Sequence, residues 1–173
     1  YINLAELEQT IEQKLINQLT QGKSQWTYRP DLNTEEKLWA NIKDIIEKGN
    51  KEQLDGESLT EREFEQVKNQ LSFPTFYDAA KWIAGENGVA HVSVQRDTKT
   101  VQLTVLKRDD IAGGSSVYEV INQYQAHKDD EEDIHSQNRR FDVSLLINGI
   151  PLIHIELKNR HHSYMDGFRQ IKK

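Results

Sequence analysis

Hydrophobic positions fall at helical spacing through the first half of the chain and at strand spacing after it. Ile2, Leu4, Leu7, Ile11, Leu15 and Leu19 line one side of a helical wheel, which predicts an amphipathic helix over about 4–21 with Gly22 as its stop. A segment from Trp26 to Pro30 leads to a second helix, capped at Asn33 or Thr34, striped by Leu38, Ile42, Ile45 and Ile46, and ended by Gly49. The polar run Asn50–Ser58 reads as a loop. Thr60 and Glu63 have capping-box spacing, in which each side chain takes a free backbone N–H of the first turn. They open a third helix with Phe64, Val67 and Leu71 on one face. Ser72-Phe73-Pro74 ends it, and Phe76, Ala80 and Ile83 predict a short fourth helix before Gly85.

From Val89 the pattern turns β-rich. Val89–Gln95 and Thr100–Leu106 predict two strands about a turn at Arg96–Lys99, and Val117–Tyr124 predicts a third. Phe141–Ile147 and Pro151–Lys158 follow as strands on either side of Asn148-Gly149, a strong hairpin signal. Ahead of Phe141, Lys128–Asn138 carries Asp129, Asp130, Glu131, Glu132 and Asp133 without the alternation or the Gly of a calcium loop. It reads as a solvated charge run. A helical pattern resumes at Ser163, and no internal repeat is present.

Composition narrows the classes. The 173 residues are one domain's worth of chain. No apolar run approaches the roughly 20 residues of a membrane span. The absence of Cys excludes disulfide scaffolds, thiolate zinc sites and cysteine nucleophiles. With no signal-peptide pattern and a first residue of Tyr1, the expectation is a cytoplasmic piece of a longer protein. Lys plus Arg number 22 against 28 Asp plus Glu, a net charge of -6. An acidic domain that touches nucleic acid needs metal ions, a local basic patch or help from elsewhere in its protein.

The candidate chemistry sits in the hairpin from Phe141 to Lys158. Asp142 opens one strand, and Glu156 and Lys158, which share a strand face, close the other. Burying these charges is costly unless they are partnered, and a cation between Asp142 and Glu156 would partner both. The register decides whether they meet. A two-residue turn pairs Ile147 with Ile150 and sets Asp142 opposite Ile155, with Glu156 on the other face. A three-residue loop, Asn148–Ile150, pairs Ile147 with Pro151 and sets Asp142 opposite Glu156, with Cβ atoms about 5 Å apart. Metal chemistry requires the longer loop, so that is the expectation. A salt-bridged structural cluster is the bland alternative.

Asp142 with Glu156-Leu157-Lys158 resembles the PD-(D/E)xK nuclease core. The stretch from Asp142 to Asn159 is similar in particular to the N-terminal nuclease domain of type I restriction enzyme R (motor) subunits, and Gln170 matches a Gln of the following helix. Upstream, Glu12, Leu15, Ile16, Leu19 and Gly22 resemble the acidic first helix of that family, with slightly altered spacing. On the helical wheel Glu12 lies within about 60° of Leu15, Ile16 and Leu19, inside the apolar face. Glu8, about 40° away, is the alternative acid. The resemblance implies an α/β fold with a mixed central β-sheet flanked by helices, restriction-endonuclease-like, carrying an N-terminal helical insert at about 31–85. It implies one nuclease domain over 1–173 and an ATP-driven motor after residue 173.

Phosphodiester hydrolysis needs an activated water and charge neutralisation, which a divalent ion on hard oxygen ligands supplies. Asp142 and Glu156 would hold Mg²⁺ (or Mn²⁺), with the Ile155 carbonyl as a further ligand implied by the resemblance. Lys158 would orient the attacking water and stabilise developing negative charge. Gln170 would position Lys158 or a backbone phosphate, and Glu12 would steady the metal's water shell. The expected activity is that of a Mg-dependent type I site-specific deoxyribonuclease acting on double-stranded DNA, in a complex with modification and specificity subunits. ATP concerns the parent protein only, since no Walker motif is present.

Other candidates carry less. His161 and His162 read as solvated, His154 as a packed or hydrogen-bonded histidine, and Gly113-Gly114-Ser115-Ser116 as a turn. Arg139, Arg140, Lys158, Arg160, Arg169, Lys172 and Lys173 make either a local basic patch or a scatter of solvated charge. Two rival readings stand: a catalytically silent nucleic-acid-binding or docking module, and a stand-alone nuclease of the same fold such as a junction resolvase.

Overall fold

The structure is a computed structural model that describes residues 4–111, 116–124 and 141–155. Its elements run α1 (Leu4–Thr20), β1 (Trp26–Tyr28), α2 (Glu35–Gly49), α3 (Glu61–Gln70), α4 (Phe76–Ala84), β2 (Val89–Arg96), β3 (Lys99–Lys107), α5 (Arg108–Ile111), β4 (Tyr118–Tyr124), β5 (Phe141–Ile147) and β6 (Ile150–Ile155). The fold is α/β. One sheet has the order β1-β4-β5-β6, and β2 and β3 form a second. No helix among the described residues is long and apolar enough to cross a membrane.

The chain divides into two compact units. The first takes its described residues from 1–35, 119–145 and 151–173, and the second from Glu36–Tyr118 and Leu146–Ile150. The helical stretch expected over 31–85 falls, from Glu36 on, in the second unit, which it shares with the β2–β3 hairpin.

In the first unit α1 lays its apolar stripe on the four-stranded sheet. Ile16, Val120, Val143 and Leu145 form the buried core, and Leu15, Leu19, Trp26, Tyr28 and Ile155 pack against it. Gly22, at φ +63°, takes the left-handed conformation that follows a helix end. The short strand β1 was not expected from sequence. Three residues are too few to show a period, and β1 exists through its neighbour: the Arg29 N–H donates to the Val120 carbonyl at 2.9 Å, while Trp26 and Tyr28 pack on the core.

In the second unit the capping box forms as its spacing predicts: the Glu63 N–H donates to Thr60 Oγ1 at 3.2 Å and the Thr60 N–H to Glu63 Oε1 at 2.9 Å. Strands β2 and β3 pair antiparallel from Arg96–Lys99 to Val89–Lys107, with Ala90, Val92, Val94, Val101, Leu103 and Val105 buried in alternation. The register shifts between Ala90 and His91, leaving Val105 as the extra residue of a bulge. Asn50 covers the outer edge of β3 there. Its side chain donates to the Thr104 carbonyl at 2.9 Å and accepts from the Thr104 N–H at 2.8 Å. Side chains also line the outer edge of β2. Trp82 Nε1 donates to the His91 carbonyl at 2.8 Å, and the Gln95 N–H donates to Gln66 Oε1 at 2.9 Å. Between them the Gln70 amide both donates to the Ser93 carbonyl, at 2.6 Å, and accepts from its N–H, at 2.8 Å. The expected loop at Asn50–Ser58 is a set of turns, exposed along most of its length and anchored by Asn50 and Leu54, each 1% exposed.

Candidate active site

The hairpin closes more tightly than expected. Strand β5 ends at Ile147 and β6 starts at Ile150, so the turn is the two residues Asn148 and Gly149 rather than a three-residue loop. Their φ values of +51° and +81° are those of the mirror-image turn whose twist matches paired strands, and Asn-Gly is the dipeptide that adopts it most readily. The turn is held in place. The Asn148 N–H donates to the Val117 carbonyl and Asn148 Oδ1 accepts from the Val117 N–H, both at 2.8 Å. Asn148 Nδ2 donates to the Val105 carbonyl, also at 2.8 Å. Gly149 lies so close to α2 that an added Cβ would stand 2.7 Å from Ile42 Cγ1.

Unbroken pairing from such a turn would set Ser144 opposite Ile153 and send the His154 side chain to the other face. The structure shows otherwise. Ser144 Oγ and His154 Nδ1 share a hydrogen bond of 2.9 Å, which requires one face. Alternation along β6 also lapses, because Ile153 and His154 are consecutive exposed residues before half-buried Ile155. Ile155 then joins Val143 on the core. Strand β6 therefore carries one extra residue, a bulge at Ile153–His154 opposite Ser144. Beyond it the strands stand in the register that the longer loop would have produced.

Asp142 is the second residue of β5, directly before buried Val143, and its side chain lies outside the described residues. Ile155 is the last residue of β6. Glu156, Lys158 and Gln170 lie outside the described residues, as do His161, His162 and the basic residues flanking the two strands. Among the described residues no three His, Asp or Glu side chains gather as a metal site.

Glu12 is placed by α1 one turn ahead of Ile16 and is 3% exposed. Glu8 lies on the same helix, with its side chain outside the described residues. Glu12 lines an open cleft of about 650 Å³ with Gln13, Asn17 and Asn122. The Tyr28 hydroxyl donates to Asn122 Oδ1 at 2.9 Å. Burial, and after it the charge of Glu12, raise the Tyr28 phenol above its ordinary value of 10.0, against the pull of the Asn122 bond. The buried Glu119 carboxylate pairs with Arg29, which also binds Asp31 at 2.9 Å. The Asp31 hydrogen bond leads the causes that keep this guanidinium charged despite its partial burial.

Sequence reasoning missed Tyr28, Asn122, Glu119 and Ser144 as polar members of this unit. The available signal was a polar residue at an inward strand position: Glu119, beside Val120 and Ile121, and Ser144, between Val143 and Leu145, are each 3% exposed.

Residues 5–173 match the family model described as the type I restriction enzyme R protein N terminus. The chain is similar to the type I restriction enzyme SauMSSORF170P endonuclease subunit of Staphylococcus aureus (strain MSSA476), with 27% identity over 96% of this chain and 16% of that protein. The SsaAORF53P endonuclease subunit of Staphylococcus saprophyticus is 26% identical over the same shares. The EcoprrI endonuclease subunit of Escherichia coli is 28% identical over 100% of this chain and 49% of that protein. The chain thus spans about a sixth of the staphylococcal subunits and about half of the E. coli one.

Proposed function

The chain belongs to the family of type I restriction enzyme R protein N termini, and from that premise we propose that it is a metal-dependent endonuclease domain that hydrolyses DNA phosphodiester bonds. The observation that carries the reading is the register at Ser144 and His154. Were the two strands to run on by two residues in that register, Asp142 would fall opposite Glu156. Two facing carboxylates repel unless a cation or proton intervenes. With the Ile155 carbonyl they make a set of hard oxygen donors, the kind Mg²⁺ or Mn²⁺ takes. A bound divalent ion supplies charge neutralisation at the phosphate and lowers the pKa of water.

The chain's own groups do the rest. Asp142, from β5, and Glu156, the residue after β6, would supply the carboxylates. Lys158, two positions after Glu156 in sequence, would orient the attacking water and meet the negative charge that develops on the phosphate oxygens. Gln170 positions Lys158 or the backbone phosphate. Glu12, buried beside the core, is a carboxylate fixed by its helix and orders water near the site. The parent protein supplies an ATP-driven motor after residue 173 and assembles on double-stranded DNA with modification and specificity subunits.

Metal binding tests the reading. Titration calorimetry should show weak Mg²⁺ or Mn²⁺ binding that Asp142→Ala or Glu156→Ala largely removes. Unchanged metal affinity in both variants would overturn the assignment and leave a catalytically silent docking module.

A further inference from the structure

The nuclease chemistry gives Ser144 and His154 no task, yet their bond stands where the alternation of β6 lapses. The turn itself cannot slide. Asn148 is tied to Val117 and Val105 by three hydrogen bonds, and Gly149 has no room against Ile42. A fixed two-residue turn imposes the register in which Asp142 faces Ile155, so any correction must be made within the strands. The correction falls at Ile153–His154. Opposite it stands Ser144, 3% exposed between core residues Val143 and Leu145. A buried hydroxyl without a partner is disfavoured. In the regular register His154 would lie on the far face and its bond to Ser144 would be lost. The bulged register brings the two together. The Ser144–His154 bond therefore favours the bulged register over the regular one.

We propose that Ser144 and His154 form a register lock: their hydrogen bond pins the β6 bulge and so positions Asp142 opposite Glu156. Both are positioning residues, acting through the carboxylates rather than on substrate. The purpose of the lock rests on the nuclease reading above, but its existence is testable without metal or DNA. The chain has no Cys, so an introduced pair reports register cleanly. A disulfide needs Cα atoms about 4.4–6.8 Å apart with converging Cβ vectors.

The experiment compares two cysteine pairs in the full-length protein, Asp142→Cys with Glu156→Cys and Asp142→Cys with Ile155→Cys, scoring cross-links by peptide mass spectrometry after mild oxidation. The first pair should cross-link at least about tenfold more than the second. Adding Ser144→Ala or His154→Ala should cut that preference about fivefold or more, and Ser144→Ala in a His154→Ala background should cut it no further. His154→Asn, which keeps a nitrogen or oxygen near the Nδ1 position, should restore it. Preferred linkage of Asp142→Cys to Ile155→Cys would overturn the lock. So would a preference unmoved by either alanine variant, even if melting temperature fell, because that is the mark of a merely structural bond. Should the alanine variants fail to fold, the two cysteine pairs in the otherwise native chain still decide the register, and His154→Asn against His154→Gln, which moves the polar atom away, still decides the lock.

Cleavage assays on the same protein separate this inference from the one beneath it. If Asp142→Ala abolishes cleavage, Ser144→Ala should raise the Mg²⁺ concentration for half-maximal cleavage about tenfold through misplacement of the carboxylates. An inactive Asp142→Ala protein with an unmoved cross-link preference sinks the lock alone. An Asp142→Ala protein that still cleaves, with the preference responding to Ser144→Ala, sinks the nuclease site and leaves the lock standing.

Discussion

Gly149→Ala is the perturbation whose cost the structure sets most directly. Gly149 sits at φ +81°, and placing a residue with a Cβ in left-handed backbone costs roughly 1–2 kcal/mol. The added carbon would also stand 2.7 Å from Ile42 Cγ1 and 3.3 Å from Ile42 Cα. One of these neighbours is backbone of α2, so the clash is not relieved by a side-chain rotation alone. Overpacking of this kind typically adds 1–3 kcal/mol. The expected destabilisation is about 3 kcal/mol, read as a lowered midpoint in urea unfolding followed by the fluorescence of Trp26, Trp39 and Trp82. A double-mutant cycle divides the two causes. In an Ile42→Ala background the part due to Cγ1 should vanish, leaving about 1–2 kcal/mol from backbone strain and the approach to Ile42 Cα. A Gly149→Ala penalty under 1 kcal/mol in the native background, or one unchanged by Ile42→Ala, would refute the close approach as the reason for glycine here.

Lys158→Ala should abolish DNA cleavage by the full-length protein, a fall of about two to three orders of magnitude, while ATP hydrolysis and melting temperature hold; normal cleavage with a lowered melting point would make Lys158 a structural partner of Glu156. Asn50→Ala strips the Thr104 N–H and carbonyl of their partner and should cost about 3 kcal/mol in thermal or urea unfolding, with little change counting against Asn50 as the cover of that edge. Tyr28 should titrate above pH 10 in ultraviolet absorbance, and Glu12→Gln should bring it down by removing the second of its two raising causes. A phenol whose folded pKa is raised adds stability that is fully present below the unfolded value near 10 and fades as pH rises through the folded one. Alkaline unfolding at the same pH in Tyr28→Phe and native protein would refute that linkage.

Where a run of side chains repeats a period, the elements were legible in the sequence. Leu15, Ile16 and Leu19 fixed α1, and the same wheel put Glu12 in the apolar face, where it is buried. Thr60 and Glu63 announced their helix because a capping box is local chemistry. Strand β1 was not legible, since it depends on β4, nearly a hundred residues away in sequence. The turn and bulge divide in the same way. Asn148-Gly149 specifies its own backbone, but the extra residue on β6 lies in Ile150-Pro151-Leu152-Ile153-His154-Ile155, where almost every position is apolar and no alternation can show a lapse. Its signal is a contact between Ser144 and His154, and contacts across strands are written in no local pattern. The three-residue loop was inferred from the pairing that the chemistry required. The structure reaches that pairing by a tighter turn and a bulge.

The side chains along β2 bear on how the protein behaves in a crowd. A two-stranded sheet has two unpaired margins, and an exposed margin is a template on which another chain can add a strand. Here Trp82, Gln70 and Gln66 occupy the His91, Ser93 and Gln95 backbone groups of one margin, and Asn50 occupies Thr104 on the other. Helices α3 and α4 thereby act as a fringe of surrogate strand, one amide at a time, without extending the sheet. Shortening Gln70 would leave the core intact and uncover the Ser93 N–H and carbonyl as a seed for self-association. The resistance of this segment to aggregation then resides in exposed polar side chains that a survey of the hydrophobic core would pass over.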